Sequence, residues 1–399
     1  MPGPLSGYRI IDLTQNVAGP LATMILADQG AEVIKVEPLD GGDHTRLGGN
    51  RRAGFSASFL NNNRNKRSIC IDLKAPDGVA LVKRLCETAD VFIQNFRPGV
   101  VERLGLGEAA IRAAAPRIVY VSISGFGDVG PYAGKPVYDP VIQAYSGLAT
   151  IQAGSDEARP RMLRTILPDK LTAITASQAV TAALLARERG GQGQHVRLSM
   201  LEAVLQFLWS SDMSAQTFVG DEPREQEQAS QTDLVYQTAD GWITVAVQTD
   251  AQWVALTRAL DRPEWLDDPR FKTPSLRQQN VDDRLRLTQE ALRAGRSGEW
   301  LDRLTTAGVP CAPIQTRNEV IRATQVEALG LVVETQHHKA GMLRQTRPAA
   351  RFSGTPCEIR HGAPALGEDT DAILAELGLS ATEVAALRAS GVVNARPGD

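Results

Sequence analysis

Residues 8–37 restrict the fold of this chain more than any other stretch. Arg9 to Leu13 reads as a short strand, Thr14 to Pro20 as a tight polar turn, Leu21 to Gln29 as a helix and Glu32 to Val36 as a second strand. The run Val33-Ile34-Lys35-Val36 has strand composition, while Leu21, Met24, Ile25 and Ala27 recur about one helical turn apart. Gly19-Pro20 suits the start of the helix: glycine permits close backbone approach, and proline loses nothing by lacking an N–H there. Gly30 suits its end. The result is a βαβ unit, the parallel-sheet beginning of an α/β domain. Glu37, after the second strand, imitates a ribose-binding acid, but the turn Thr14-Gln15-Asn16-Val17-Ala18-Gly19-Pro20 lacks the glycine spacing of a dinucleotide fingerprint.

The same alternation continues. The polar run Asn61 to Arg67, with Arg64, Lys66 and Arg67 close together, leads into a third strand expected over Ser68 to Leu73. Those bases fit phosphate contact or a solvated loop, and no glycine nest makes them a P-loop. A helix is expected from Ala75 to Glu87, a strand from Asp90 to Gln94, helices over Val100 to Leu104 and Gly107 to Ala114, and a strand over Ile118 to Ile123. Arg97 falls in the loop Asn95-Phe96-Arg97-Pro98-Gly99, at a strand end where open α/β sheets collect ligands. Ser124 to Tyr132 is rich in turn formers and reads as a ligand cover or an ordinary crossover. Leu171 to Glu188 is the strongest helical pattern, with Asp169 at its mouth. Unsatisfied N–H groups there favour an ionised carboxylate, so Asp169 is at least a helix cap.

Beyond Trp209 the character changes. The expected organisation is a large α/β domain over 1–209, a linker over 210–232, a small α+β domain over 233–330, and a segment over 331–399 returning to the large domain. Composition excludes several function classes. Net charge is −3 with acids and bases mixed throughout, so no nucleic-acid footprint is present. Cys70, Cys86, Cys311 and Cys357 have no CxxC spacing and read as reduced thiols. His44, His195, His337, His338 and His361 are scattered and form no metal-ligand pattern, and no GxSxG elbow supports serine hydrolysis. Met1 to Leu5 lacks the features of a signal peptide, and no apolar run approaches bilayer length, so a cytoplasmic protein without membrane association is expected.

Several segments in register resemble the class III coenzyme A transferases, the CaiB/BaiF or formyl-CoA-transferase-like family. They are Ile10 to Thr14, Ala18-Gly19-Pro20, Gly30 to Glu37, Asn65 to Ile69, Asn95-Phe96-x-Pro98-Gly99, Ser122-x-Ser124-Gly125-Phe126-Gly127, Tyr138-Asp139, Gly190 to Gln194, Pro263-Glu264-Trp265 and Gly308 to Pro313. The resemblance implies a Rossmann-like large domain with a parallel sheet, a smaller α+β domain and an interlocked homodimer. It implies CoA transfer from an acyl-CoA to a carboxylic acid, with Asp169 as nucleophile and Tyr138 and Asp139 beside it. CoA would meet Val17, Ala18, Asn65, Lys66, Asn95, Phe96, Arg97, Arg103 and Lys135. Coenzyme A and its esters enter as substrates, and no tightly bound cofactor is implied.

The chain departs from formyl-CoA transferase in three places. Gln15 and Val17 replace a histidine and a glutamine, Pro38 replaces an arginine, and Val245 to Thr249 runs straight into Asp250 without a glycine-run loop. These departures point away from oxalate and formate and toward a larger acid such as a dicarboxylate. Two other readings share the resemblance: an acyl-CoA racemase or isomerase, with Tyr138 where racemases place a histidine, and a CoA-thioester-binding protein without turnover.

Overall fold

A computed structural model describes residues 3–221 and 234–393. Its strands, in chain order, begin with β1 (Arg9–Asp12) and β2 (Glu32–Glu37). A two-residue-per-strand hairpin follows, β3 (Arg51–Arg52) with β4 (Phe55–Ser56). Next come β5 (Lys66–Cys70), β6 (Val91–Gln94), β7 (Val119–Ser124) and β8 (His195–Ser199). Six of these form one sheet in the order β5-β2-β1-β6-β7-β8, and every pairing is parallel. The chain therefore winds outward from β1 to one edge and then from β6 to the other. The crevice between the C-terminal ends of β1 and β6 is the topological switch point, where sheets of this kind bind ligands.

Both faces of the sheet are covered, as a parallel sheet requires. Ile11, Ile34, Ile69, Phe92 and Tyr120 point to one face and pack against Leu81, Val82 and Leu85 of the Pro76–Glu87 helix. Ile10, Val33, Val91, Ile93, Val119 and Val121 point to the other. There they meet Ala22 and Leu26 of the Ala18–Asp28 helix and Ala173, Ala176, Val180 and Ala183 of the Leu167–Gly190 helix. The alternation of side chains along each strand produces this division. Alanines on the long helix let the two helices approach closely.

By compactness the chain divides into two units, Met1–Glu225 with Gly330–Asp399, and Gln226–Leu329. The second unit contains β9 (Val235–Gln237), β10 (Trp242–Val245) and β11 (Cys311–Pro313), an antiparallel sheet in the order β11-β10-β9. Its helices surround a core of Trp253, Trp265, Phe271, Trp300 and Leu304. After Gly330 the chain forms an antiparallel hairpin, β12 (Val332–His337) with β13 (Gly341–Thr346), and its last two helices place Ile373, Leu374 and Val384 in the first unit's core. Of the expected linker, residues 210–221 form turns with a short 3-10 segment at Ser214–Gln216, and 222–232 lie outside the described residues.

Some boundaries differ from the sequence reading. The third strand starts at Lys66 rather than Ser68, because Lys66 is inserted into the interior instead of standing in a loop. The long helix starts at Leu167, which puts Asp169 in its first turn with Ile166 as the cap.

Candidate active site

The switch-point crevice opens into a cleft of about 370 Å³ lined from both sides by loops that follow sheet strands. Asn16, Val17 and Ala18 come from the loop after β1 and the start of the first helix, and Asn95, Phe96, Arg97 and Pro98 from the loop after β6. Ser124 and Gly125 follow β7, and Lys135, Tyr138, Asp139 and Asp169 complete the far wall. Asn95 ties two of these loops together: its Oδ1 accepts the Gln15 N–H (2.9 Å) and its Nδ2 donates to the Gln15 carbonyl (2.8 Å). Asn16 then takes a left-handed conformation, φ 66°, one that asparagine tolerates better than most residues. Gly19 must be glycine, since a Cβ there would stand 2.2 Å from Thr14 Cβ.

Asp169 sits where two helices begin. It occupies the first turn of the Leu167–Gly190 helix, and its carboxylate faces the backbone N–H of Ala18, the first residue of the Ala18–Asp28 helix. Both helix ends favour negative charge. Burial and the neighbouring Asp139 oppose them and prevail, pushing the pKa of Asp169 up to about 6. Asp139 is 3% exposed. Its Oδ2 accepts the Asp169 N–H (3.3 Å) and its Oδ1 accepts Gln143 Nε2 (2.6 Å). Gln143 also accepts the Leu163 N–H through Oε1 (2.9 Å), so it fixes the segment that delivers Asp169. Gln143 had no distinguishing sequence signal beyond lying one turn after Asp139.

Tyr138 is 71% exposed and stands at the cleft edge as the cap of the Asp139–Tyr145 helix. The Lys135 ammonium lies 4.3 Å from the Tyr132 ring centre and 5.9 Å from that of Phe126. Phe126, Tyr132 and Tyr145 pack edge to face, so the glycine-rich Ser124 to Tyr132 stretch is folded around three rings. Gly125 presses against Val137, and a Cβ there would meet Val137 Cγ1 at 2.0 Å. Arg97 is exposed and has no ion-pair partner among the described residues. Arg103 is exposed too, yet it does not line the cleft; its guanidinium lies over Gly99.

Asn65 and Lys66 are corrected by the structure: neither lines the cleft. Asn65 is buried and bonds to Asp28 Oδ1 (2.8 Å), the Glu358 carbonyl (2.8 Å) and the Arg360 N–H (2.7 Å). Lys66 is buried under the first turn, with Nζ on Asp12 Oδ2 (3.0 Å), the Pro20 carbonyl (2.9 Å) and Asn63 Oδ1 (2.8 Å). Next to it Lys35 meets Asp43 (2.9 Å) and the Thr14 carbonyl (2.7 Å). The basic run is therefore largely a set of internal struts. Lys66 and Lys35 together hold the carboxyl of Asp12 well below the usual carboxylate range.

A second cavity of about 420 Å³ shares Phe96, Pro98, Ile123 and Ser124 with the cleft. A hydrogen-bond chain stiffens the partition. The Phe96 N–H donates to Gln94 Oε1 (2.8 Å), Gln94 Nε2 donates to Ser122 Oγ (3.0 Å), and that hydroxyl meets His195 Nε2 (2.9 Å). Burial and Arg197 push the pKa of His195 down.

The chain matches CoA-transferase family III over residues 5–370. It is 35% identical over 381 residues to the human (Homo sapiens) succinyl-CoA:glutarate CoA-transferase, covering 94% of this chain and 86% of that protein. It is 36% identical over 385 residues to the succinate–glutarate CoA-transferase of Agrobacterium fabrum, covering 94% and 96%. The crystal structure of a CaiB/BaiF family protein from Brucella suis superposes with a TM-score of 0.82 at 31% identity, covering 94% of this chain and all (100%) of that one. The parallel sheet, the cleft at its switch point and these likenesses place the chain in CoA-transferase family III, the CaiB/BaiF family.

Proposed function

We propose that this enzyme moves coenzyme A from an acyl-CoA donor such as succinyl-CoA to a carboxylic acid through covalent intermediates on Asp169. The observation that carries the reading is the position of Asp169: a half-buried carboxylate in a cleft at the sheet's switch point, between two helix N-termini. In the first step a carboxylate oxygen of Asp169 attacks the donor thioester carbonyl, and the C–S bond breaks to give a mixed anhydride and CoA thiolate. The thiolate then attacks the aspartyl carbonyl, releasing the donor acid as its carboxylate and leaving an aspartyl–CoA thioester. The acceptor carboxylate attacks that thioester to form a second anhydride, and the thiolate takes the acceptor acyl group away, restoring Asp169.

Every covalent intermediate is open to hydrolysis, so shielding and positioning dominate the protein's task. The Ser124 to Tyr132 stretch suits a cover, and its amides suit oxyanions. Val17, Ala18, Asn95, Phe96, Arg97 and Lys135 suit CoA, with Arg97 and Lys135 offered to its phosphates. Arg103 would act from outside the cleft. Tyr138 and Asp139 flank the nucleophile. The relatives' printed names support a dicarboxylate such as glutarate as acceptor. The free cysteines support a reducing compartment, the cytoplasm. The family likeness supports an interlocked homodimer with a separate small domain.

The test is mass spectrometry of the intact protein with succinyl-CoA, together with turnover of Asp169→Ala. A CoA-sized adduct, absent in the variant, and a loss of turnover of at least about 10³-fold are expected. Turnover close to wild type in the variant refutes the assignment. Acceptor-independent exchange of the α-proton would point to a racemase instead.

A further inference from the structure

The second unit contains a charged cavity of its own. It measures about 340 Å³ and is bordered by Arg277 and Arg284 with the apolar side chains of Leu234, Val247 and Pro274. The two arginines are in different states. Arg277 is buried, donates to the Phe271 carbonyl (2.9 Å) and pairs with Asp250. Arg284, on the Val281–Leu292 helix, has no hydrogen-bond or ion-pair partner for its guanidinium among the described residues, and its Nε is sealed from solvent. Among the described residues the groups acting on it are the Arg277 guanidinium and the Tyr236 phenol, and neither is a carboxylate. Burial and Arg277 push its pKa below the usual arginine value.

On its other side Arg284 borders a cavity of about 20 Å³ shared with Trp253, whose indole N–H is also unpartnered. That volume suits one water molecule, which would satisfy both N–H groups. It would not neutralise the cation. A half-buried guanidinium with no counter-charge among the described residues is costly, and a ligand anion lowers the cost.

We propose that this cavity binds the carboxylate of a short aliphatic acid. Arg284 offers its planar fork to the two oxygens, and Leu234, Val247 and Pro274 take the carbon chain. Asp250 already balances Arg277, so among the described residues one positive charge is left, which matches a carboxylate better than a doubly charged phosphate. The volume lies near the lower end of ligand pockets and suits a small acid rather than a whole CoA ester.

The experiment is calorimetric titration of glutarate, and separately of inorganic phosphate, into the full-length protein. Wild type is expected to bind glutarate at an Arg284-dependent site. Arg284→Met should weaken that site roughly tenfold or more, and Arg284→Lys, which keeps the charge but loses the fork, should fall between. Arg286→Met is the control; it removes an exposed arginine of the same helix that pairs with Asp283 and Glu290. It should bind as wild type does. Glutarate should raise the melting temperature of wild type more than that of Arg284→Met. Undiminished binding in Arg284→Met, no binding in wild type, or displacement of glutarate by equal concentrations of phosphate overturns the proposal. Asp169→Ala should keep the Arg284-dependent site, so failure of the transfer mechanism and failure of this site give different results.

Discussion

The proposed attack of Asp169 on a thioester requires the ionised carboxylate, yet its surroundings raise its pKa to about 6. Two outcomes follow from the sign of that shift. As an essential base, Asp169 should make kcat/KM fall about tenfold per pH unit below roughly pH 6. Asp139→Asn removes the adjacent negative charge, so the acid limb of that profile should move to lower pH; an unmoved limb would show that Asp139 does not tune the nucleophile. The same shift acts on stability. The native state binds this proton more tightly than the unfolded chain, so stability falls as pH rises from about 3.8 through 6, and the penalty is complete above that. Asp169→Asn should therefore be more stable than wild type at pH 7.5, by about 1–3 kcal/mol, with the gain gone at pH 4. Thermal melts at the two pH values check this.

At the level of elements, the first βαβ unit carries both the fold and the floor of the cleft. Its strand and helix types were legible because their periods of two and near four are local properties. Why glycine stands at position 19 was only half legible. The turn asked for a small residue, but the Thr14 side chain that excludes a Cβ comes into place only when the loop closes. Gly19→Ala should displace the Ala18 amide from Asp169 and lower both melting temperature and kcat/KM; wild-type values for both would contradict the tight packing. The buried struts below this turn escaped sequence reading. Asp12, Lys35 and Lys66 lie on neighbouring strands, and their pairing depends on register between β1, β2 and β5. Asp12→Ala leaves Lys66 and Lys35 without that charge and should cost about 3–5 kcal/mol, measurable by chemical denaturation.

For the whole molecule, the Leu167–Gly190 helix packs one apolar face on the sheet while Ile174 and Leu185 remain 57% and 51% exposed. That second apolar surface is what the proposed homodimer would cover. Ile174→Asp should shift the mass measured by light scattering from dimer to monomer; an unchanged dimer would move the interface elsewhere. The alternation of strand and helix, the Rossmann-like parallel sheet, the family and the helix that presents Asp169 follow from the order of residues alone. The elements rest on periodicity and turn chemistry, which act over short stretches of chain, while the family and its Rossmann-like sheet rest on the resemblance of several motifs in register to known members. Which polar side chains face the cleft, and which are locked inside, was decided by tertiary structure. Lys66 and Arg97 look alike in sequence as bases near strand ends. Strand register sends the first inward to Asp12 and leaves the second exposed beside the cleft, because a buried charge is tolerated only where folding supplies its partner.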